Sequence, residues 1–163
     1  MTDRALVVRT VTAGVRLEAT VWHDDRVCPD GRLRAFDGDD RAPSLSAAVE
    51  RLDFARYDGL YYQGPDGDWT AFLACWLAVE PWTGDPTPEP RGDGAVVERR
   101  TARDAQALRS WVRAAKGSLV DEIATGTLPP GEARSRLLGA LRRRAGDRRV
   151  IVAAPAGVQR SRR

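Results

Sequence analysis

The twelve residues D68-W-T-A-F-L-A-C-W-L-A-V79 decide the architecture of the amino-terminal half of this chain. Laid out as a strand they are apolar on both faces, which suits only a central place in a covered sheet. Wound as a helix they put Trp69, Phe72, Leu73, Trp76 and Leu77 at i, i+3, i+4, i+7 and i+8, with Asp68 in the N-cap position. Ala71, Ala74 and Ala78 add helix propensity. The helix is the reading taken here, and it makes Trp76 a core residue.

Upstream of this segment, L6-V-V-R-T-V11 and V15-R-L-E-A-T-V-W22 read as strands. In the second, Val15, Leu17, Ala19 and Val21 alternate with Arg16, Glu18 and Thr20, the period of a half-buried strand. Ala13-Gly14 between them allows a tight hairpin turn, since glycine accepts positive φ. Residues 24–43 read mostly as loop, with a short strand at Leu33–Phe36. Ser44 suits the N-cap of a helix carrying Leu45, Val49 and Leu52, and Leu60–Gln63 reads as a strand closed by G64-P-D-G67.

Downstream, P81-W-T-G-D-P-T-P-E-P-R-G-D-G94 holds four prolines and three glycines and reads as an extended connector. Thr101 and Asp104 then form a T-x-x-D capping pair ahead of the stripe Ala105, Leu108, Trp111, Val112, Ala115, Leu119 and Ile123. Gly126 suits the C′ position, and Pro129 or Pro130 opens a second helix that buries Ala133, Leu137, Ala140 and Leu141. V150-I-V-A-A154 reads as a strand without a nearby partner, expected to pair with the amino-terminal sheet. The expected fold is α+β: a small antiparallel sheet with packed helices, a basic helical hairpin and a final short strand. Its divisions are an acidic lobe 1–80, the connector 81–94, the hairpin and strand 95–154, and a flexible basic tail 155–163.

Composition bounds the function. At 163 residues, 42% hydrophobic and 30% charged, the chain has a core and is not disordered. No apolar run approaches the roughly 18 residues of a membrane span, and no signal peptide is visible at the start. A cytoplasmic location is expected. The chain has 25 Arg and one Lys, Lys116, a ratio that points to codon usage, so the position of the arginines matters more than their number. Residues 1–80 carry nine arginines against fourteen carboxylates, a net of −5. Residues 95–152 carry thirteen cations against six carboxylates, a net of +7, and the tail adds three more.

On a wheel of the second helix Arg136, Arg142 and Arg143 lie opposite Leu137, and Arg148, Arg149, Arg160, Arg162 and Arg163 continue the charge beyond it. Clustered guanidinium groups bind a line of phosphates by displacing counterions, without reading sequence. The expectation is a non-enzymatic nucleic-acid-binding accessory protein whose partner is DNA or RNA. The competing structural role is a solvated helix face neutralised by the acidic lobe. The alternative function is a protein-interaction module (an inhibitor, immunity or assembly factor) using Trp82, Asp39 and Asp40, or self-association of oppositely charged halves. No cofactor is expected.

I123-A-T-G-T-L-P-P-G-E132, after an amphipathic helix, resembles the first helix and joint of the winged helix-turn-helix of GntR-family regulators over ten residues. The continuation A133-R-S-R-L-L-G-A-L141 departs from that family's Leu-Pro-Ser-Glu-type segment. What is shared is the helix-breaking joint, and no family is read from it.

The remaining candidates have ordinary explanations. His23, Cys28 and Cys75 lack the paired spacings of a zinc site, and a cysteine inside an apolar run is normally inert. Asp24, Asp25, Asp30, Asp37, Asp39, Asp40, Asp66 and Asp68 mostly flank glycine or proline, as turn residues do. No metal site and no acid–base pair is read from them.

Overall fold

The computed structural model describes residues 3–22, 33–36, 38–79 and 93–153. Strands β1 (Asp3–Val11) and β2 (Gly14–Trp22) form the expected hairpin, in register from Val11 opposite Gly14 to Asp3 opposite Trp22. Gly14 has φ +106°, and a side chain there would collide with the Ala42 carbonyl oxygen, so the position requires glycine. Two short strands, β3 (Arg34–Ala35) and β4 (Arg41–Ala42), share the outer edge of β2.

A crossover through helix α1 (Leu45–Glu50) then brings β5 (Gly59–Gln63) beside β1, parallel to it. Antiparallel pairing continues through β6 (Trp69–Trp76), β7 (Gly94–Glu98) and β8 (Val150–Val152). Among the described residues these strands form one mixed sheet of eight, in the order β3-β2-β1-β5-β6-β7-β8 with β4 also on β2. The fold is α+β. The sheet is neither small nor purely antiparallel, because the crossover makes β1 and β5 parallel. The expected carboxy-terminal strand does join the sheet, through β7.

Residues 69–76 are a strand, not the expected helix. The strand lies between β5 and β7 and is covered on both faces. Leu73 and Cys75 pack with the carboxy-terminal helices, and Phe72 packs with α1. When both faces are buried, apolar residues fill every position and any period can be fitted to them. Burial between two neighbours then outweighs the helix propensity of three alanines.

Helix α1 covers one face of the sheet, with Leu45, Ala48 and Val49 against Leu6, Val8, Leu60 and Phe72. Helices α2 (Ala102–Ala124) and α3 (Pro130–Ala145) cover the other, with Leu108, Val112, Leu137 and Leu141 against Leu73, Ala95 and Val97. Each buried leucine, valine or phenylalanine among them contributes roughly 1.5–3 kcal/mol. Gly94 on β7 is dictated by this packing, since a side chain there would enter the Phe54 ring.

The helix ends are those the sequence marks. The Ser44 hydroxyl accepts from the Ala47 amide at 3.2 Å, and the Thr101 hydroxyl accepts from the Asp104 amide at 3.1 Å. Gly126 ends α2 with φ +73°, and Pro129 and Pro130 open α3. Among the described residues no helix is long and apolar enough to cross a membrane.

Candidate nucleic-acid interface

The start of α2 and the end of α3 lie at the same end of the molecule, tied by two ion pairs. The Arg148 guanidinium donates to both carboxylate oxygens of Asp104, at 2.8 and 2.9 Å. Arg100 donates to Asp147 at 2.6 Å. That hydrogen bond raises the pKa of Arg100 and lowers that of Asp147, both fully exposed. The backbone adds Glu98 N–H to Arg149 carbonyl at 2.9 Å. Two stretches distant in the sequence, 98–104 and 142–149, are thereby gathered into one cationic end. Together they hold eight arginines against Glu98, Asp104 and Asp147.

The arginines there divide into two groups. Arg148 is structural: its side chain is only 10% exposed, and its remaining donors reach the carbonyls of Ala145 and Arg144. Although expected to face phosphate, it is turned inward, where it fastens the end of α3 to the start of α2. Arg103, Arg142, Arg143, Arg144 and Arg149 are exposed and, among the described residues, in no ion pair. Arg142, Arg143 and Arg144 are successive residues of a helix, so they point about 100° apart and fan around its last turn. They also complement the negative end of the helix dipole.

The other expected residues are dispersed. Arg136 is held by Glu122 of α2 at 2.5 Å. Arg160, Arg162, Arg163, Trp82, His23 and Cys28 lie outside the described residues. Asp39 lies 3.5 Å from the Arg51 guanidinium and accepts from the Arg41 amide, while Asp40 is 3.3 Å from Arg16. Both aspartates thus organise the corner between β2 and β4. Nothing in the local sequence around Arg99, Arg100 and Arg103 joins them to residues 142–149; only the folded chain does.

A second basic feature lies on α2. Arg109, Arg113 and Lys116 fall within about 60° of one another around the helix. With Asp58, Ala74, Cys75, Trp76 and Val112 they line a groove of about 410 Å³ between α2 and the end of β6. The Lys116 ammonium lies 4.8 Å from the centre of the Trp76 ring and donates to the Trp76 carbonyl at 3.3 Å. Burial lowers the pKa of Lys116, and the carboxylate of Asp93 opposes that shift. Burial also pushes the Cys75 thiol up to about 12, against the pull of Arg109 and Arg148. At neutral pH Cys75 is an inert thiol. Among the described residues no group of three His, Cys, Asp or Glu side chains is placed to hold a metal ion.

A protein-family model matches residues 34–153, from β3 to the residue after β8. The chain belongs to DUF6735, a family of unknown function. No curated protein and no solved structure matches it. In this DUF6735 member both the cationic end and the α2 groove lie within the matched residues, whereas β1 and β2 precede them.

Proposed function

We propose that this DUF6735 protein is a non-enzymatic nucleic-acid-binding accessory protein, with α2 and α3 acting as one basic helical hairpin that meets DNA or RNA phosphates. One observation supports this reading above the rest: five exposed arginines without a carboxylate partner among the described residues meet at the end where α2 starts and α3 stops. A fanned set of guanidinium groups suits a polyanion followed along its backbone, with no base read. A protein partner at Asp39 and Asp40 would have to displace Arg51 and Arg16, so the polyanion is the better-supported reading. The cytoplasm is the proposed location, in keeping with a buried Cys75 that is a free thiol.

The test is a salt titration of binding to a labelled duplex of ~20 base pairs, followed by fluorescence anisotropy. Affinity falls steeply with salt, by about 0.9 in the logarithmic slope for each phosphate contacted. Replacing Arg142, Arg143, Arg144 and Arg149 by Gln lowers that slope by about three to four. Absence of binding at ~50 mM salt, or an unchanged slope in the variant, overturns the proposal.

A further inference from the structure

The cationic end has a shape as well as a charge. Near the close of α3, Leu141 and Ala145 are buried among residues of α2 and the sheet. Measured from the line through those two, Arg142 and Arg144 stand about 80° to either side and Arg143 about 180° away. All three are exposed and, among the described residues, none has a carboxylate partner. The last turn of α3 therefore carries one cation on each flank and a third on its outward face. The Arg143 guanidinium lies back along the helix over Gly139, where a Cβ would stand 3.6 Å from its Nη1. With glycine there, the outward face of the turn is low in bulk.

The carboxylates at this end are covered, Asp104 by Arg148 and Asp147 by Arg100. Glu132, in the first turn of α3, lies about 16 Å back along the axis. Phosphates approaching the last turn thus meet little repulsion.

An α-helix with its side chains is about 10–12 Å across, which matches the major groove of B-form DNA, about 12 Å wide. A helix seated there has a phosphate-lined wall on each side, so cations on its two flanks meet both strands at once. Duplex RNA is A-form, and its major groove is too deep and narrow for side chains to reach into. A single strand offers no walls, and residues 98–104 and 142–150 include no aromatic side chain on which bases could stack.

Resting on the nucleic-acid reading above, we propose that the partner is double-stranded DNA in the B form. The last turn of α3 enters its major groove, with Arg142 and Arg144 on phosphates of opposite strands. Arg103 and Arg149, at the same end, add charge beside the groove and do not select the form of the helix.

Fluorescence anisotropy of the full chain at ~0.1 M salt compares duplex DNA, duplex RNA and single-stranded DNA of one sequence and length. A fourth probe is the same DNA duplex with glucosylated 5-hydroxymethylcytosine, whose sugars fill the major groove and leave the phosphates untouched. Unmodified duplex DNA binds at least about tenfold more tightly than each of the other three. Arg142→Gln combined with Arg144→Gln brings duplex DNA down to the level of duplex RNA, whereas Arg103→Gln weakens both duplexes by the same factor. The replaced side chains are exposed, and circular dichroism confirms that the variants fold. The proposal is overturned if duplex RNA, the single strand or the glucosylated duplex binds as tightly as unmodified DNA. That outcome leaves the polyanion reading standing, as a patch that follows any phosphate backbone. If none of the four probes is bound, the polyanion reading falls and this proposal with it.

Discussion

The two basic regions of this protein are built on the same helix and differ in kind. At the cationic end, arginines from the start of α2 and the close of α3 are many, exposed and splayed, and Arg148 beneath them is consumed as a fastener. In the groove three cations share one flank of α2, but Lys116 is spent on the Trp76 ring and carbonyl, and Arg109 has an interaction of its own. Charge at the first region is available, and charge at the second is largely in use. A splayed, open set attracts an extended polyanion at long range, whereas an engaged set fastens α2 to the end of β6.

The contrast is easiest to break at the cationic end. Replacing Arg142, Arg143, Arg144 and Arg149 by Gln reduces duplex affinity roughly a hundredfold near 0.1 M salt, whereas Lys116→Met in the groove leaves it unchanged; equal losses at both regions would erase the distinction. Next in size is Arg148→Met. Removing one member of this well-shielded pair leaves Asp104 without its partner and costs about 2 kcal/mol, less than a fully buried pair because Asp104 is one-third exposed. The urea midpoint measures that loss. A variant as stable as the parent shows Arg148 to be a surface cation like its neighbours.

A smaller effect is expected for Trp76→Ala. Stability changes by less than ~1 kcal/mol, as suits an exposed side chain. A large loss of stability instead would return Trp76 to the core. Cys75 gives the smallest signal and reports on the groove floor. Its thiol is raised in the folded chain to about 12 from 9.0, so the fold's advantage is complete below pH 9. That advantage is lost progressively as pH climbs towards 12. At pH 8 the thiol reacts with a disulfide reagent only as fast as the protein opens. Rapid labelling of the folded chain would mean the groove admits solvent to its base.

Much of the carboxy-terminal half was legible along the chain. Thr101 with Asp104, Gly126, and Pro129-Pro130 mark helix boundaries through interactions that span three or four residues, and the structure uses each in the expected place. The β1–β2 hairpin was legible for the same reason, with Gly14 at the turn. The segment 68–79 was not. Its apolar residues fit a helical stripe and a two-faced strand equally, and only the presence of β5 and β7 on either side settles which forms. The same ambiguity hides the exposure of Trp76 from the sequence, since a helix buries that side chain and a strand end exposes it.

The candidate interface divides in the same way. Arg142, Arg143 and Arg149 were visible as part of a charge run, but their companions Arg100 and Arg103 lie some forty residues earlier in the chain. That Arg148 is occupied depends on Asp104, and that Arg136 is occupied depends on Glu122, both on another helix.

By itself, then, the chain determined its helix limits, its first hairpin and its division into acidic and basic halves, because capping, turn chemistry and charge act over a few neighbouring residues. Tertiary structure alone decided that β6 is a strand, that the sheet is mixed, and which cations are spent on carboxylates or share a groove with Trp76. Those outcomes depend on burial and on pairs formed across long sequence separations, and neither quantity exists until the elements have packed.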